Sequence, residues 1–177
     1  MGIPVSIEEL ISPTSVESTR LEYKRDFNPS PIIRTICAFA NDIDNMGGGY
    51  IIIGVEEQNG APAFPVTGIA KESVDGTLKK LREYCHYIEP LYEPVVEPML
   101  YHDKTDGRDK QLIGIWVSGG YGRPYRAPKD VTANQSYKYY YVRKFASSVI
   151  ASRDEEKELF YVSSNIPFDD RENLAAS

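Results

Sequence analysis

Carboxylates flank two apolar segments in the first third of the chain. Glu17 and Glu22 stand five residues apart at the entrance to one predicted strand, and Glu56 and Glu57 follow directly after a second one. If the two strands are neighbours, three of these carboxylates converge. A hard divalent cation such as Mg²⁺ or Mn²⁺ requires such an oxygen cluster, and metal-dependent phosphodiester hydrolysis uses one.

Lys24 lies two residues after Glu22 and therefore on the same face of a strand. There it would place a positive charge near a scissile phosphate, as the Glu-x-Lys pattern does in unrelated nucleases. In the alternative interpretation, the acids are solvated at the surface and pair with Lys24 and Arg25. The sequence leaves both interpretations open, and in both we expect the carboxylates to be surface residues.

The segment from Tyr137 to Lys144 combines aromatic and basic side chains. Lysine and arginine beside stacking rings are typical of a nucleic-acid groove, but tyrosines also fill half-buried sheets because they fit a pleated surface. Neither face of this strand is purely apolar, so one side must present cations. Alternation places Tyr137, Tyr139, Tyr141 and Arg143 on one face and Lys138, Tyr140, Val142 and Lys144 on the other.

The charge is segregated along the chain. The whole sequence has a net charge of -6, yet residues 120–153 carry seven basic side chains and one acid. This excess predicts a one-sided basic patch, whereas the alternative is a solvated face balanced by the acidic residues that follow. The predicted nucleic-acid contacts are Lys24, Arg25, Arg126, Lys138, Tyr139, Arg143 and Lys144.

A glycine-rich loop connects a predicted helix to the second predicted strand. Asn41 ends the helix, and Gly47, Gly48 and Gly49 precede the strand. Glycine permits positive φ and close backbone approach, so exposed amides of this loop would contact a phosphate. The alternative is that the glycines allow a tight entry into a buried strand while Asn41 caps the helix.

Helical and strand patterns follow one another along the chain, and these elements must position the groups above. Two main helices are predicted, one starting at Pro31 behind the N-cap Ser30 and one starting at Val74. Ser6 and Ser152, each with a glutamate three residues later, form capping boxes that start two short helices. Strands are predicted over residues 21–26, 50–55, 95–102, 111–118 and 137–144. This order indicates the α+β class, with one mixed β-sheet layered with the two main helices.

Length and composition are those of an ordinary globular protein, with 177 residues of which 41% are hydrophobic. Such a chain forms a core without disulfides or a structural metal, so we expect Cys37 and Cys85 to be buried core residues. We predict one domain over residues 1–162 and a linker over residues 163–177 toward a further C-terminal module. The apolar runs are far shorter than the roughly 18 residues of a membrane helix, which predicts a cytoplasmic protein with no membrane partner.

Five motifs follow one another along the chain: Glu17-Ser18, Leu21 to Lys24, Ile36 to Asn41, Gly47 to Glu56 and Tyr141 to Arg143. Together they resemble the Schlafen-type AlbA domain over residues 10–160. The resemblance implies a Schlafen AlbA-like fold and DNA binding in bacterial transcriptional regulators. Some family members cleave RNA with three acidic residues, which map onto Glu17, Glu22 and Glu56. The family's older description as ATP-binding gains no support, because the triple glycine is not followed by lysine.

Three functions remain as hypotheses. The first is a nucleic-acid-binding domain of a bacterial transcriptional regulator, with DNA or RNA as its partner. The second is a nuclease that uses the three carboxylates with Mg²⁺ or Mn²⁺, the only cofactors that the sequence suggests. The third is a structural or homo-oligomerising module, which fits the net acidity.

Overall fold

The computed structural model describes residues 2–12, 18–133 and 137–164. The described residues form four α-helices, one 3-10 turn and nine strands, which confirms the α+β class. The helices are α1 (Ile7–Leu10), α2 (Pro29–Asn41), α3 (Val74–Cys85) and α4 (Arg153–Ser164), with the 3-10 turn over Lys71–Ser73. The strands are β1 (Leu21–Lys24), β2 (Gly49–Ile53), β3 (Glu57–Gln58), β4 (Ala61–Pro62), β5 (Val95–Asp103), β6 (Arg108–Val117), β7 (Arg126–Pro128), β8 (Lys138–Lys144) and β9 (Ser147–Ile150).

The central sheet is mixed and has the strand order β1-β2-β6-β5. β1 runs parallel to β2, and β6 is antiparallel to both of its neighbours. β5 and β6 form the hairpin that the sequence indicates. β2 lies inside the sheet and is almost entirely buried, as its continuous apolar run predicts.

The predicted strand over residues 137–144 is not part of this sheet. β8 instead lies at the centre of a second, antiparallel sheet with the order β7-β8-β9. The prediction of a single sheet is therefore wrong. Its partners β7 and β9 have three and four residues, which is too short to show a recognisable alternation.

Helix α2 lies between the two sheets and is buried on nearly all sides. Its Ile32, Ile33 and Ile36 belong to one core cluster with Ile51 of β2 and Tyr141 of β8. A helix that is apolar around most of its circumference must be covered on most sides. The other face of the central sheet carries α1, and α4 covers the outer face of the second sheet.

The two main helices start close to their predicted positions. α3 begins at Val74 as predicted, whereas α2 begins at Pro29, two residues before the predicted start. Ser30 does not cap α2. Its hydroxyl donates to the Asp130 carboxylate at 3.2 Å and accepts from the Val131 amide at 3.1 Å, which ties the helix start to the segment after β7.

Helix α4 has the predicted capping box. The Ser152 amide donates to the Glu155 carboxylate at 2.9 Å, and the Glu155 amide donates to the Ser152 hydroxyl at 3.2 Å. The helix continues to Ser164, and residues 165–177 of the predicted linker lie outside the described residues. None of the described helices combines the length and the apolar character needed to cross a bilayer.

Candidate nucleic-acid interface

Two backbone amides of the glycine loop are bound by a side chain at the start of the same loop. Asp42 ends α2 in the left-handed conformation, and its carboxylate accepts from the amides of Met46 at 2.8 Å and Gly47 at 3.0 Å. Gly48 has φ +80°, and a Cβ there would lie 1.8 Å from the Val117 carbonyl oxygen. The loop therefore needs glycine to approach β6, and two of its amides are already bound, so contact with a phosphate stays a prediction.

Asn41 is a buried connector. Its side-chain oxygen accepts from the Tyr125 amide at 2.6 Å. Its side-chain nitrogen donates to the carbonyl oxygens of Tyr125 at 2.9 Å and Tyr141 at 2.7 Å. The residue thus joins α2 to β8 and to the segment before β7, while the helix cap is Asp42.

Glu22 is 7% exposed, so the expectation that it is a surface residue is wrong. Its neighbours Leu21 and Tyr23 belong to the cluster on the α1 side of the central sheet, and alternation turns Glu22 to the opposite side. There its carboxylate accepts from Arg143 Nη2 at 2.6 Å and from Lys24 Nζ at 3.0 Å. Two cations therefore neutralise this acid inside the protein.

Arg143 of β8 is the buried partner of Glu22. Besides Glu22, its guanidinium donates to the carbonyl oxygen of Ser18 at 2.9 Å and to the Ser148 hydroxyl at 3.1 Å. It also lies 5.0 Å from the ring centroid of Phe39, in cation–π geometry. In this arrangement Arg143 connects the second sheet to β1 and α2, and it is not available to a phosphate.

The predicted metal site is only partly visible. Glu17 lies outside the described residues, and Glu56 is exposed just beyond β2. Within the described part of the chain, no three His, Cys, Asp or Glu side chains are placed to hold a metal ion together. The three-carboxylate site with Mg²⁺ or Mn²⁺ stays a prediction, and Glu22 already has two cationic partners.

Most basic side chains of residues 120–153 have acidic partners from other parts of the chain. Lys144 Nζ lies 3.2 Å from Glu155, and Arg123 Nη1 lies 3.7 Å from Asp42. Among the described residues, the segment's basic side chains without an acidic partner are Lys129 and Arg153, both exposed. A charge count along the chain therefore overstates the positive charge of this surface. Arg25 is exposed just after β1, where the sequence predicts a nucleic-acid contact.

Arg126 and Lys138 share one exposed acid. Glu89 lies 2.7 Å from Lys138 Nζ and 3.3 Å from Arg126 Nη2. The hydrogen bond and charge of Lys138, followed by the charge and hydrogen bond of Arg126, hold the pKa of Glu89 below its usual value. These cations lie at a surface groove of about 280 Å³, lined by Arg126, Tyr137, Lys138, Tyr139, Tyr140, Ile150 and Glu156.

Tyr141 and Tyr139 of β8 form a row with Tyr137, the residue directly before the strand, from the core to the surface. Tyr141 is buried, and its ring centroid lies 6.4 Å from that of Tyr139. Tyr139 in turn lies 4.7 Å from Tyr137, which is 68% exposed. The inner ring fills the core, as the sheet-filling interpretation expects, whereas the outer ring faces solvent and its stacking on a base stays a prediction.

Two residues that sequence reasoning missed stand out at this surface. Glu89 pairs with Arg126 through both backbone groups, at 2.9 and 2.8 Å, and no motif marks it. Phe145 is 88% exposed between β8 and β9. A signal for it exists in the sequence, because an aromatic residue directly after a basic strand is an unusual choice for a turn.

The fold and the groove define a class: an α+β domain in which a buried helix separates a mixed sheet from a smaller antiparallel sheet that presents tyrosines and cations. The chain belongs to the Schlafen AlbA_2 family, whose model matches residues 17–152. This match confirms the family that the sequence motifs indicate. No curated protein matches the chain significantly.

The solved structures that are similar to this chain include the two that follow. The DIP2311 protein from Corynebacterium diphtheriae is 15% identical over 86% of this chain, with a TM-score of 0.50, and the chain spans 29% of that protein's length. The other is the N-terminal domain of a protein from Nitrosomonas europaea described as related to the ATP-dependent DNA helicase RecG. It is 23% identical over 76% of this chain and 79% of its own length, with a TM-score of 0.41. The first likeness supports the fold alone.

Proposed function

We propose that this domain binds nucleic acid through the groove beside β7 and β8, as the DNA-binding part of a bacterial transcriptional regulator. One observation carries the proposal: the exposed Tyr137 ring lies beside Tyr139 at a groove where Arg126 and Lys138 share a single carboxylate. Rings offer stacking surfaces to bases, and the cations offer contacts to phosphates. The family membership fits the same conclusion.

Glu89 occupies the position that a phosphate would take. Its carboxylate is 52% exposed and holds both cations at once. Because this carboxylate is half-exposed, a phosphate from solution can displace it and gain both contacts. A glutamate is ionised at neutral pH, and the two cations lower the pKa of Glu89 further, so the acid competes with the ligand there.

Glu89→Gln is therefore expected to strengthen binding. The variant removes the competing charge and leaves Arg126 and Lys138 in place, so we expect the affinity to rise by up to about fivefold. Fluorescence anisotropy with a labelled 16-nucleotide single strand, as DNA and as RNA, measures the change.

Glu83→Gln on α3 is the matched control, because it removes the same charge from an exposed position away from the groove. We expect little change from that variant. If both variants bound the strand equally more tightly, the change in net charge alone would explain the effect. Weaker binding by Glu89→Gln would contradict the proposed role of the groove.

A further inference from the structure

The turn between β8 and β9 consists of two residues. Lys144 pairs with Ser147, which leaves Phe145 and Ala146 as the connection. Phe145 has φ +52°. A two-residue hairpin turn with positive φ at its first central residue favours glycine there, and a bulky side chain is strained in that region. The chain thus has an unfavourable residue at this turn.

The Phe145 ring buries little apolar surface that could offset this strain. It is 88% exposed, the largest exposed fraction among the large apolar side chains that the structure describes. A residue that combines backbone strain with an exposed aromatic ring has a cost in folding free energy that packing does not offset. Such an outlier indicates a role outside folding.

Hydrogen bonds and an ion pair tie the base of the turn to α2, β8 and α4. Ser148 Oγ lies 2.9 Å from Thr35 Oγ1 of α2 and accepts from Arg143 at 3.1 Å. Lys144 contacts Glu155 of α4 at 3.2 Å and keeps half of its side chain exposed. The ring therefore projects from a fixed support, and an ammonium group lies on the adjacent residue.

We propose that Phe145 stacks on an unpaired nucleic-acid base while Lys144 contacts a neighbouring phosphate. Every base has a π-face, and aromatic stacking beside a cation is the chemistry of single-strand binding. One ring with one cation fits a single nucleotide, whereas a membrane surface or a second protein copy would need a wider apolar patch. The inference rests on the proposed nucleic-acid function and adds a second contact to it.

This contact is separate from the groove. Tyr137 and Phe145 flank opposite ends of β8, eight residues apart, which is roughly 26 Å along an extended strand. A variant at the turn therefore leaves Arg126, Lys138 and their shared acid unchanged. Loss of the turn contact and loss of the groove contact are distinguishable in one set of measurements.

The experiment uses Phe145→Gly, because glycine relieves the positive φ and removes the ring. We expect its Tm to rise by about 2–4 °C, while its affinity for a 16-nucleotide single strand falls fivefold or more. A blunt duplex of the same sequence has few unpaired bases, so its affinity should change little. Leu100→Ala, another exposed apolar side chain, is the control and should leave single-strand affinity unchanged.

Phe145→Trp keeps the stacking ring and should bind like the natural protein. Adding the single strand should quench its fluorescence more than that of the natural protein, which contains Trp116. Wild-type affinity in Phe145→Gly, beside weakened binding by Arg126→Ala/Lys138→Ala, would overturn the stacking role and leave the groove intact. Absence of binding by the natural protein would overturn both proposals. If the fluorescence of Phe145→Trp shifted to the blue with phosphatidylserine vesicles and not with the oligonucleotide, the turn would bind a membrane instead.

Discussion

Glu22→Gln is expected to lower the free energy of unfolding by about 3 kcal/mol. The substitution keeps the shape of the side chain but leaves the guanidinium of Arg143 buried without its anion. Removing one partner of a buried ion pair costs about 3–5 kcal/mol, because the remaining charge is uncompensated. Glutamine retains an acceptor oxygen, which places the effect at the lower end. Equilibrium unfolding in urea measures it as a lower midpoint with an unchanged slope.

Glu56→Gln provides the matched control. Glu56 is exposed, and surface substitutions of this kind usually change stability by less than about 0.5 kcal/mol. The double variant Glu22→Gln/Arg143→Met removes both charges of the pair and should lose less stability than the sum of the single variants. Equal stability of Glu22→Gln and Glu56→Gln would contradict the buried pair.

This prediction changes how the nuclease hypothesis must be tested. If Glu22→Gln unfolds part of the protein, lost cleavage in that variant says nothing about a metal. Glu56→Gln is the cleaner probe, because it alters a predicted ligand without disturbing the core. Cleavage that requires Mn²⁺ and disappears in Glu56→Gln would support the three-carboxylate site, and a protein that cleaves equally well in EDTA would exclude it.

Asn41→Ala is expected to cost about 3–5 kcal/mol. It leaves the Tyr125 amide and the Tyr141 carbonyl oxygen buried without their partner, while the Tyr125 carbonyl oxygen keeps the Cys37 thiol as its donor. Each buried group left unsatisfied costs about 1–3 kcal/mol. The three bonds also join α2 to the second sheet, so the variant loosens the support of β7 and β8.

Asn28→Ala, at the other end of the same helix, is the control. Asn28 is the N-cap of α2 but makes no side-chain capping bond and is exposed. We expect its unfolding free energy to change by less than about 0.5 kcal/mol. If the two alanine variants unfolded at the same urea concentration, Asn41 would not connect the helix to the second sheet.

The long helices and strands of this fold can be predicted from the sequence because their hydrophobic and capping patterns are clear. The apolar run of β2, the wide apolar face of α2 and the Ser152 capping box each reflect a local rule. The boundaries of these elements lie within a few residues of the prediction. The family motifs point to the same architecture.

The second sheet and the ion pairs could not be predicted in the same way. β7 and β9 are too short for periodicity to identify them. Glu22 looks half-exposed in its own strand, because its burial depends on Arg143, which lies 121 residues later. Glu89 likewise neutralises two cations from a distant segment. Long-range pairing of opposite charges leaves no local signal, so the charge count suggests a patch that the folded protein largely balances.

The salt dependence of single-strand binding tests the central claim most directly. Each phosphate contact with a single strand contributes about 0.7 to the slope of log K against log salt. The claim predicts measurable binding by the natural protein at low salt, and a slope smaller by about 1.4 in Arg126→Ala/Lys138→Ala with the fold unchanged. No binding, or an identical slope in the two proteins, would contradict it.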